Sequence, residues 1–162
     1  MLISNEEIFQ WLPHRDPFLF VDCLESWTHL NREVPADEIV GVKEVVGVEC
    51  VSHYRVRAEH PIFAGHFPGK PILPGVVQVE MMAQASSFTL FRCLAKPLEG
   101  NMDVALLGIS SAKFRKPIIP GMELVIKTVC TKARGSIVTH DCQIFCNEQL
   151  MSEASAMASV KI

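Results

Sequence analysis

The feature that most constrains the fold is an apolar run in the middle of the chain. Between Pro71 and Phe91 the only ionisable residue is Glu80, and there is no proline from Gly75 to about Ala95. Apolar residues would lie on all sides of the helix that this run forms, and such a helix is buried. The sequence therefore predicts one long central helix of about 30 Å, at about 1.5 Å per residue, enclosed by the rest of the chain.

Most of the remaining sequence predicts β-strands. Apolar and polar residues alternate with the period of two that gives a strand one buried face, and turn residues such as Pro120 and Gly121 separate the runs. The stretch from Glu25 to Asp37 is polar, lacks a clear period and is predicted to be a loop. The predicted strands lie at residues 38–46, 49–59, 103–118, 122–130, 136–146 and 150–162.

Together these elements predict an α+β fold in a single domain over residues 1–162. Five or six mostly antiparallel strands would form one curved sheet around the central helix. In the last strand Ala154, Ala156 and Ala158 fall on one face. Side chains this small would let the strand pack closely on the helix.

Charge and motif content exclude several classes of protein. The 15 basic and 18 acidic residues give a net charge of -3, which argues against nucleic-acid binding. We expect no membrane span and no secretory signal, because no apolar run is long enough and the N-terminus lacks a basic flank. The six cysteines form no CxxC pair, so we expect buried free thiols, a cytoplasmic location and no metal site.

The stretch from residue 60 to 84 is the one that carries chemistry. Pro68, Pro71 and Pro74 fix their own φ angles and make a stiff linker. This linker leads directly into the start of the apolar helix at Gly75. A helix start offers unpaired N–H groups and a partial positive charge, which would stabilise a carbonyl oxygen that gains negative charge.

Two titratable residues flank that helix start. His66 lies on the stiff linker, where a neutral imidazole could accept a proton. Glu80 lies about one and a half turns inside the helix, and we expect its apolar surroundings to raise its pKa so that it donates a proton. An acid, a base and an oxyanion site suit proton removal next to a thioester carbonyl, as in a dehydration. The residues alone leave open the alternative that both side chains are structural.

Three blocks of the sequence, in order, resemble the hotdog-fold 3-hydroxyacyl-[acyl-carrier-protein] dehydratases of fatty acid synthesis, the FabZ type. The blocks are LPHRDPFLFVD at 12–22, GHFPGKPILPGVVQVEMMAQ at 65–84 and KFRKPIIPGMEL at 113–124. The middle block is the most specific, because its Pro, Gly, His and Glu positions agree at once. The resemblance implies a hotdog fold and a homodimer. Three such dimers often assemble in this family.

The resemblance also implies a catalytic mechanism. His66 of one protomer would take the α-proton of a 3-hydroxyacyl thioester, and Glu80 of the other would protonate the leaving hydroxyl. The N–H of Gly75 would hold the thioester carbonyl, with Phe67 and Gln84 at substrate-binding positions. The products would be a trans-2-enoyl thioester and water, with no metal or organic cofactor. The substrate would arrive on the phosphopantetheine arm of acyl carrier protein.

Some positions bear on the choice within this family. Related FabA-type enzymes, which also isomerise the double bond, carry Asp where this chain has Glu80, so we expect dehydration without isomerisation. Asp16 stands where an aromatic residue is common, and residues 103–112 lack the tyrosine that some members use as a gate. Residues 23–37 resemble an insertion. These differences leave the preferred acyl chain open and allow a specialised dehydratase of a secondary acyl or polyketide pathway.

Other candidate residues have weaker signals. His14 and Arg15 are expected to pin the N-terminal helix, and Gln84 either orients Glu80 or satisfies the core. A basic cluster is expected at a solvated strand edge, with docking of an acidic carrier protein as the alternative. That cluster comprises Lys113, Arg115 and Lys116. Two rival functions are a hotdog thioesterase and a non-enzymatic acyl-thioester-binding subunit.

Overall fold

Six antiparallel strands form one sheet around a central helix in the computed structural model, which describes residues 1–99 and 103–161. The strand order is β1-β2-β4-β5-β6-β3, and the α+β prediction is confirmed. The strands are β1 (Cys23–His29), β2 (Val48–Arg55), β3 (Asp103–Phe114), β4 (Glu123–Arg134), β5 (Ile137–Cys146) and β6 (Gln149–Lys161).

The central helix is shorter than the sequence predicts. Helix α1 covers Ile8–Trp11 and the central helix α2 covers Gly75–Ser86. The apolar run then continues as a 3₁₀ helix, Ser87–Cys93, so the prediction of one helix to about Ala95 is wrong in its second half. No helix in the described part of the chain is long and apolar enough to cross a membrane.

Hydroxyl side chains explain where α2 ends. Ser86, Ser87 and Thr89 each donate a hydrogen bond to the backbone carbonyl three residues earlier, at 2.7 to 2.9 Å. Such local bonds compete with the regular i to i−4 pattern of an α-helix. The chain therefore tightens into i to i+3 geometry although it remains buried.

Two predictions in the first half of the chain are also wrong. Residues 38–46 form no strand but contain a short 3₁₀ helix, Val42–Glu44, in which the Glu44 carboxylate accepts the Gly41 N–H at 2.9 Å. The polar stretch predicted as a loop begins inside strand β1, which pairs with β2. A polar edge strand of this kind lacks a clear alternation, because only part of its surface is buried.

The core lies between the sheet and α2. Met81 and Met82 of the helix are fully buried, together with Phe88 of the 3₁₀ helix. The predicted packing of small residues is confirmed, because Ala154, Ala156 and Ala158 of β6 are buried on one face of the strand and β6 contacts α2.

The two edges of the sheet differ in how much of each is covered by the rest of the chain. At the β1 edge, Ile3 forms a bridge with Leu24. Beside it, Arg92 donates to carbonyls of the 34–38 segment and stacks on Trp27. At the other edge, β3 pairs with β6 alone and almost every residue of it is exposed. Its exposed apolar side chains are Val104, Leu106, Leu107, Ile109 and Phe114.

Candidate active site

His66 sits on the stiff linker with one ring nitrogen engaged. Its Nδ1 lies 2.8 Å from the carbonyl oxygen of Ile72, and its backbone carbonyl accepts the N–H of the same residue at 2.9 Å. Because a carbonyl only accepts, Nδ1 carries the proton and Nε2 keeps a free lone pair. The ring stacks on that of Phe67 at 4.0 Å between centroids, and His66 is only partly buried. The linker thus holds an imidazole of fixed orientation near the surface.

Glu80 is held from its own helix by Gln84. The side-chain N–H of Gln84 donates to Glu80 Oε1 at 2.9 Å, and the same nitrogen donates to the Phe18 carbonyl at 2.9 Å. Gln84 Oε1 accepts the backbone N–H of Phe20 at 2.9 Å, which fixes the orientation of the amide. Gln84 therefore both orients the carboxyl and satisfies two backbone groups in the core.

A second contact to the carboxyl comes from the N-terminal region. His14 Nε2 lies 3.4 Å from Glu80 Oε1, and both side chains are about three-quarters buried, with 30% and 25% exposed. His14 and then Gln84 hold the pKa of Glu80 below its usual value, against the opposing effect of burial. The expectation that apolar surroundings raise the pKa of Glu80 is therefore wrong for the single chain, because it did not take the contact with His14 into account.

A cavity of about 270 Å³ opens beside Glu80. Its wall includes Glu80, Gln84 and His14, the small residues of β6 and the exposed start of β3. His140 of β5 also lines it and is buried, with Nε2 2.8 Å from the Thr89 hydroxyl. Burial lowers the pKa of His140 to about 4, so this side chain is neutral at neutral pH. The cavity has the mixed apolar and polar lining of a small-molecule site.

The start of α2 is tightly packed from one side. A side chain added at Gly75 would place its Cβ 2.8 Å from the Phe114 ring, so the ring would have to move to admit any other residue there. Among the described residues, no acceptor binds the Gly75 N–H. Phe67, the other predicted substrate-binding residue, is about half exposed. The helix start therefore presents a free amide next to an aromatic side chain at the end of β3.

The predicted basic cluster lies on and just after β3. Lys113 and Lys116 are exposed, whereas Arg115 pairs with Glu153 at 3.0 Å. Asp16 is also exposed, and Arg15 donates to the carbonyls of Leu12 and His14. The predicted pinning of the N-terminal segment by Arg15 thus has a direct structural basis.

The single chain brings some predicted residues together and separates others. Glu80 and Gln84 share one cavity, but the described residues that line it do not include His66, Phe67 or Gly75. Sequence reasoning missed the contact of His14 with Glu80 and the place of His140 in the cavity wall. The block at residues 12–22 was a signal for His14, but nothing in the sequence pattern pointed to His140.

Comparisons with known proteins agree on family and fold. The FabA-like domain matches residues 12–155. The 3-hydroxyacyl-[acyl-carrier-protein] dehydratase FabZ of Anaplasma phagocytophilum is 35% identical over 158 residues, covering 98% of this chain and 97% of the relative. FabZ of Sulfurovum sp. is 35% identical over 163 residues, covering 99% of this chain and 98% of the relative.

Solved structures show the same architecture. The dehydratase heterocomplex ApeI:P from Xenorhabdus doucetiae aligns with a TM-score of 0.63 at 14% identity, covering 96% of this chain and 91% of that one. A hot-dog-like protein from Thermanaerovibrio acidaminovorans aligns with a TM-score of 0.61 at 11% identity, covering 75% and 88%. These likenesses concern the fold alone, and they confirm the hotdog prediction.

Proposed function

This chain belongs to the FabA-like family and acts as a FabZ-type 3-hydroxyacyl-[acyl-carrier-protein] dehydratase in fatty acid biosynthesis, and we propose that His66 and Glu80 carry its proton transfers. The observation that supports the proposal most is that each of the two side chains is held in one orientation by its own set of contacts. His66 has a fixed tautomer with a free Nε2, and Glu80 is oriented at the wall of a cavity.

His66 is the base in this mechanism. Its Nε2 takes the α-proton of the 3-hydroxyacyl thioester, and the electrons of that C–H bond form the new double bond. The Ile72 carbonyl, which accepts the Nδ1–H, stabilises the imidazolium that results. The thioester carbonyl gains negative charge in this step, and the free N–H of Gly75 at the positive end of α2 would stabilise it.

Glu80 is the acid. In the single chain its pKa lies below its usual value, so the carboxyl must gain a proton before it can act. A substrate acyl group and a second protomer would displace water from the cavity, and desolvation raises the pKa of a carboxyl. The protonated carboxyl then donates to the leaving hydroxyl as the C–O bond breaks, and water is released.

We infer that the working unit is a homodimer joined through β3. The strand has an unpaired edge and a row of exposed apolar side chains, which a second copy of the sheet would cover. The same arrangement would bring His66 of one protomer to the cavity that holds Glu80 of its partner. Changing Ile109 to Lys should separate the protomers and remove activity, as light scattering and turnover would show.

Acyl carrier protein delivers the substrate, and the basic residues around β3 are proposed as its docking site. Lys113 and Lys116 are the stronger candidates, because Arg115 is already paired with Glu153. Carrier proteins are acidic partners, so the complementary charges would speed encounter. All six cysteines are free thiols, in keeping with the proposed cytoplasmic location.

The test is a turnover assay on 3-hydroxyacyl thioesters, read by the absorbance of the conjugated enoyl product. We expect enoyl product from the wild type and a loss of about 10³-fold or more in His66→Ala and Glu80→Gln, since each removes a proton-transfer group. Release of free thiol without enoyl product would instead support the thioesterase alternative. Wild-type rates in either variant would remove that residue from the mechanism.

A further inference from the structure

We propose that His14 is a positioning residue that holds one oxygen of the Glu80 carboxyl so that the other faces the substrate. The inference rests on the proposed role of Glu80 as the acid. It assigns different tasks to the two carboxyl oxygens. Oε1 is the anchored oxygen, and Oε2 is the one that carries the proton to the leaving hydroxyl.

The contacts around the carboxyl support this division. His14 Nε2 lies 3.4 Å from Oε1, and Gln84 donates to the same oxygen at 2.9 Å. Within the described residues, no hydrogen bond is formed to Oε2. Since the amide of Gln84 is fixed by Phe18 and Phe20 on the backbone, it cannot turn to follow the carboxyl. The Gln84 amide thus hydrogen-bonds Oε1, and the His14 ring from a separate element lies at ion-pair distance from the same oxygen.

The local structure also assigns the proton on His14. Its Nδ1 is buried and has no partner among the described residues. A buried N–H without an acceptor is rarer than an acceptor without a donor, so Nε2 carries the proton and points it at the carboxyl. Arg15 fixes the backbone of this segment by donating to the carbonyls of Leu12 and His14, at 3.0 and 2.7 Å.

This arrangement has a chemical consequence. As Glu80 gives up its proton, negative charge appears on a carboxyl whose Oε1 already has the Gln84 amide and the His14 ring beside it. These two groups stabilise the charged form and make Glu80 a stronger acid at the moment of transfer. Two further titratable groups line the same cavity, Asp103 from β3 and His140 from β5. Asp103 is an acidic residue on the same wall, and the buried His140 is neutral at neutral pH.

The experiment compares three variants at His14 and Glu80 in the intact enzyme. In His14→Ala we expect kcat at the pH optimum to fall about 10-fold, with KM changed less than about twofold, because orientation is lost and binding is not. The alkaline limb of the kcat profile should move to higher pH, since the protonated acid is required and its pKa rises without His14. His14→Gln keeps an N–H near the Nε2 position and should restore kcat to within about threefold.

A measurement without turnover separates this inference from the proposed function. In protein labelled with ¹³C at the glutamate carboxyls, the Glu80 resonance is identified by its loss in Glu80→Gln, and its pKa should be higher in His14→Ala. His60→Ala is the matched control, because His60 also contacts the N-terminal segment, at the Pro17 carbonyl. It should leave that pKa and the alkaline limb in place.

The outcomes are distinguishable. If Glu80→Gln retains wild-type activity, the proposed acid is wrong whatever His14 does. If Glu80→Gln is inactive but His14→Ala keeps wild-type kcat and an unshifted Glu80 pKa, the positioning role is overturned. The same conclusion follows if His14→Gln is no better than His14→Ala while circular dichroism shows that both are folded.

Discussion

The two proposed proton-transfer groups are held by very different surroundings. The region around Glu80 belongs to the core: its support comes from Gln84 and His14, and the cavity wall includes the buried His140. The region around His66 lies at the surface, where one backbone carbonyl and the half-exposed Phe67 ring are its neighbours. Both side chains are partly buried, but Glu80 lies among residues of the core, whereas His66 lies on a linker whose neighbouring residues are mostly exposed.

The largest expected effect tests whether these regions come from different protomers. His66→Ala and Glu80→Gln chains with different affinity tags should each be inactive alone. A mixed dimer carrying both tags has one intact site, so its activity should return to about half that of the wild type. Turnover of the doubly purified species measures this. A mixed dimer as inactive as its parents would place both groups in the same chain and break the comparison.

The next effect concerns how pH changes the stability of the region around Glu80. The folded-state pKa of His140 is lowered to about 4, and an unfolded histidine titrates near 6.5. Its neutral form therefore supports the fold fully above pH 6.5, and this part of the stability is lost as pH falls toward 4. The free energy of unfolding should drop by about 3 kcal/mol over that range from this group.

Urea unfolding at several pH values measures that slope. His140→Gln should reduce the loss between pH 6.5 and 4, whereas His66→Ala should leave it as in the wild type. An identical pH dependence in His140→Gln and the wild type would contradict the assignment of a neutral buried histidine.

A smaller effect is expected from Gln84→Leu. The change leaves the Phe20 N–H and the Phe18 carbonyl without partners, which should cost about 1–3 kcal/mol of stability. It also frees the carboxyl of Glu80, and we expect kcat to fall about 10-fold. Denaturation and turnover on the same preparation test both parts. A variant that loses stability without losing kcat would show that Gln84 serves the core alone.

The smallest effect is expected from Phe67→Leu on the base side. Phe67 is about half exposed, so its replacement should change stability by less than about 0.5 kcal/mol. Loss of the ring that stacks on His66 should alter turnover only a few-fold. A destabilisation as large as that of Gln84→Leu would show that the two regions are equally embedded in the core.

Much of the fold could be predicted because its signals are local. The alternation in β4, β5 and β6 and the apolar run of α2 follow from period and composition, and both appear in the structure. The end of α2 was harder to predict. It depends on the hydrogen bonds that three hydroxyl groups donate to the backbone, those of Ser86, Ser87 and Thr89, and the sequence does not show these bonds. Strand β1 was missed because it is stabilised by pairing with β2. Its own sequence has no clear alternation.

The candidate site shows the same limit. Glu80 and Gln84 could be placed on one helical face, since residues four apart are neighbours. The direction of the pKa shift of Glu80 could not be predicted, because it depends on His14. His14 lies near the N-terminus, far from Glu80 in the sequence. Spacing along the chain predicts contacts within an element, and it does not predict which distant loop will close over it.

The close approach of Gly75 and Phe114 has a consequence for assembly. The aromatic ring at the end of β3 lies 2.8 Å from the place that a Cβ on the first residue of α2 would take, so the two elements are in close contact. If a second copy docks on β3 as proposed, a shift of that strand would move the Phe114 ring against the first residue of α2, whose amide is proposed to meet the thioester. The position of the Phe114 ring would in this way link the proposed dimer to the proposed oxyanion site.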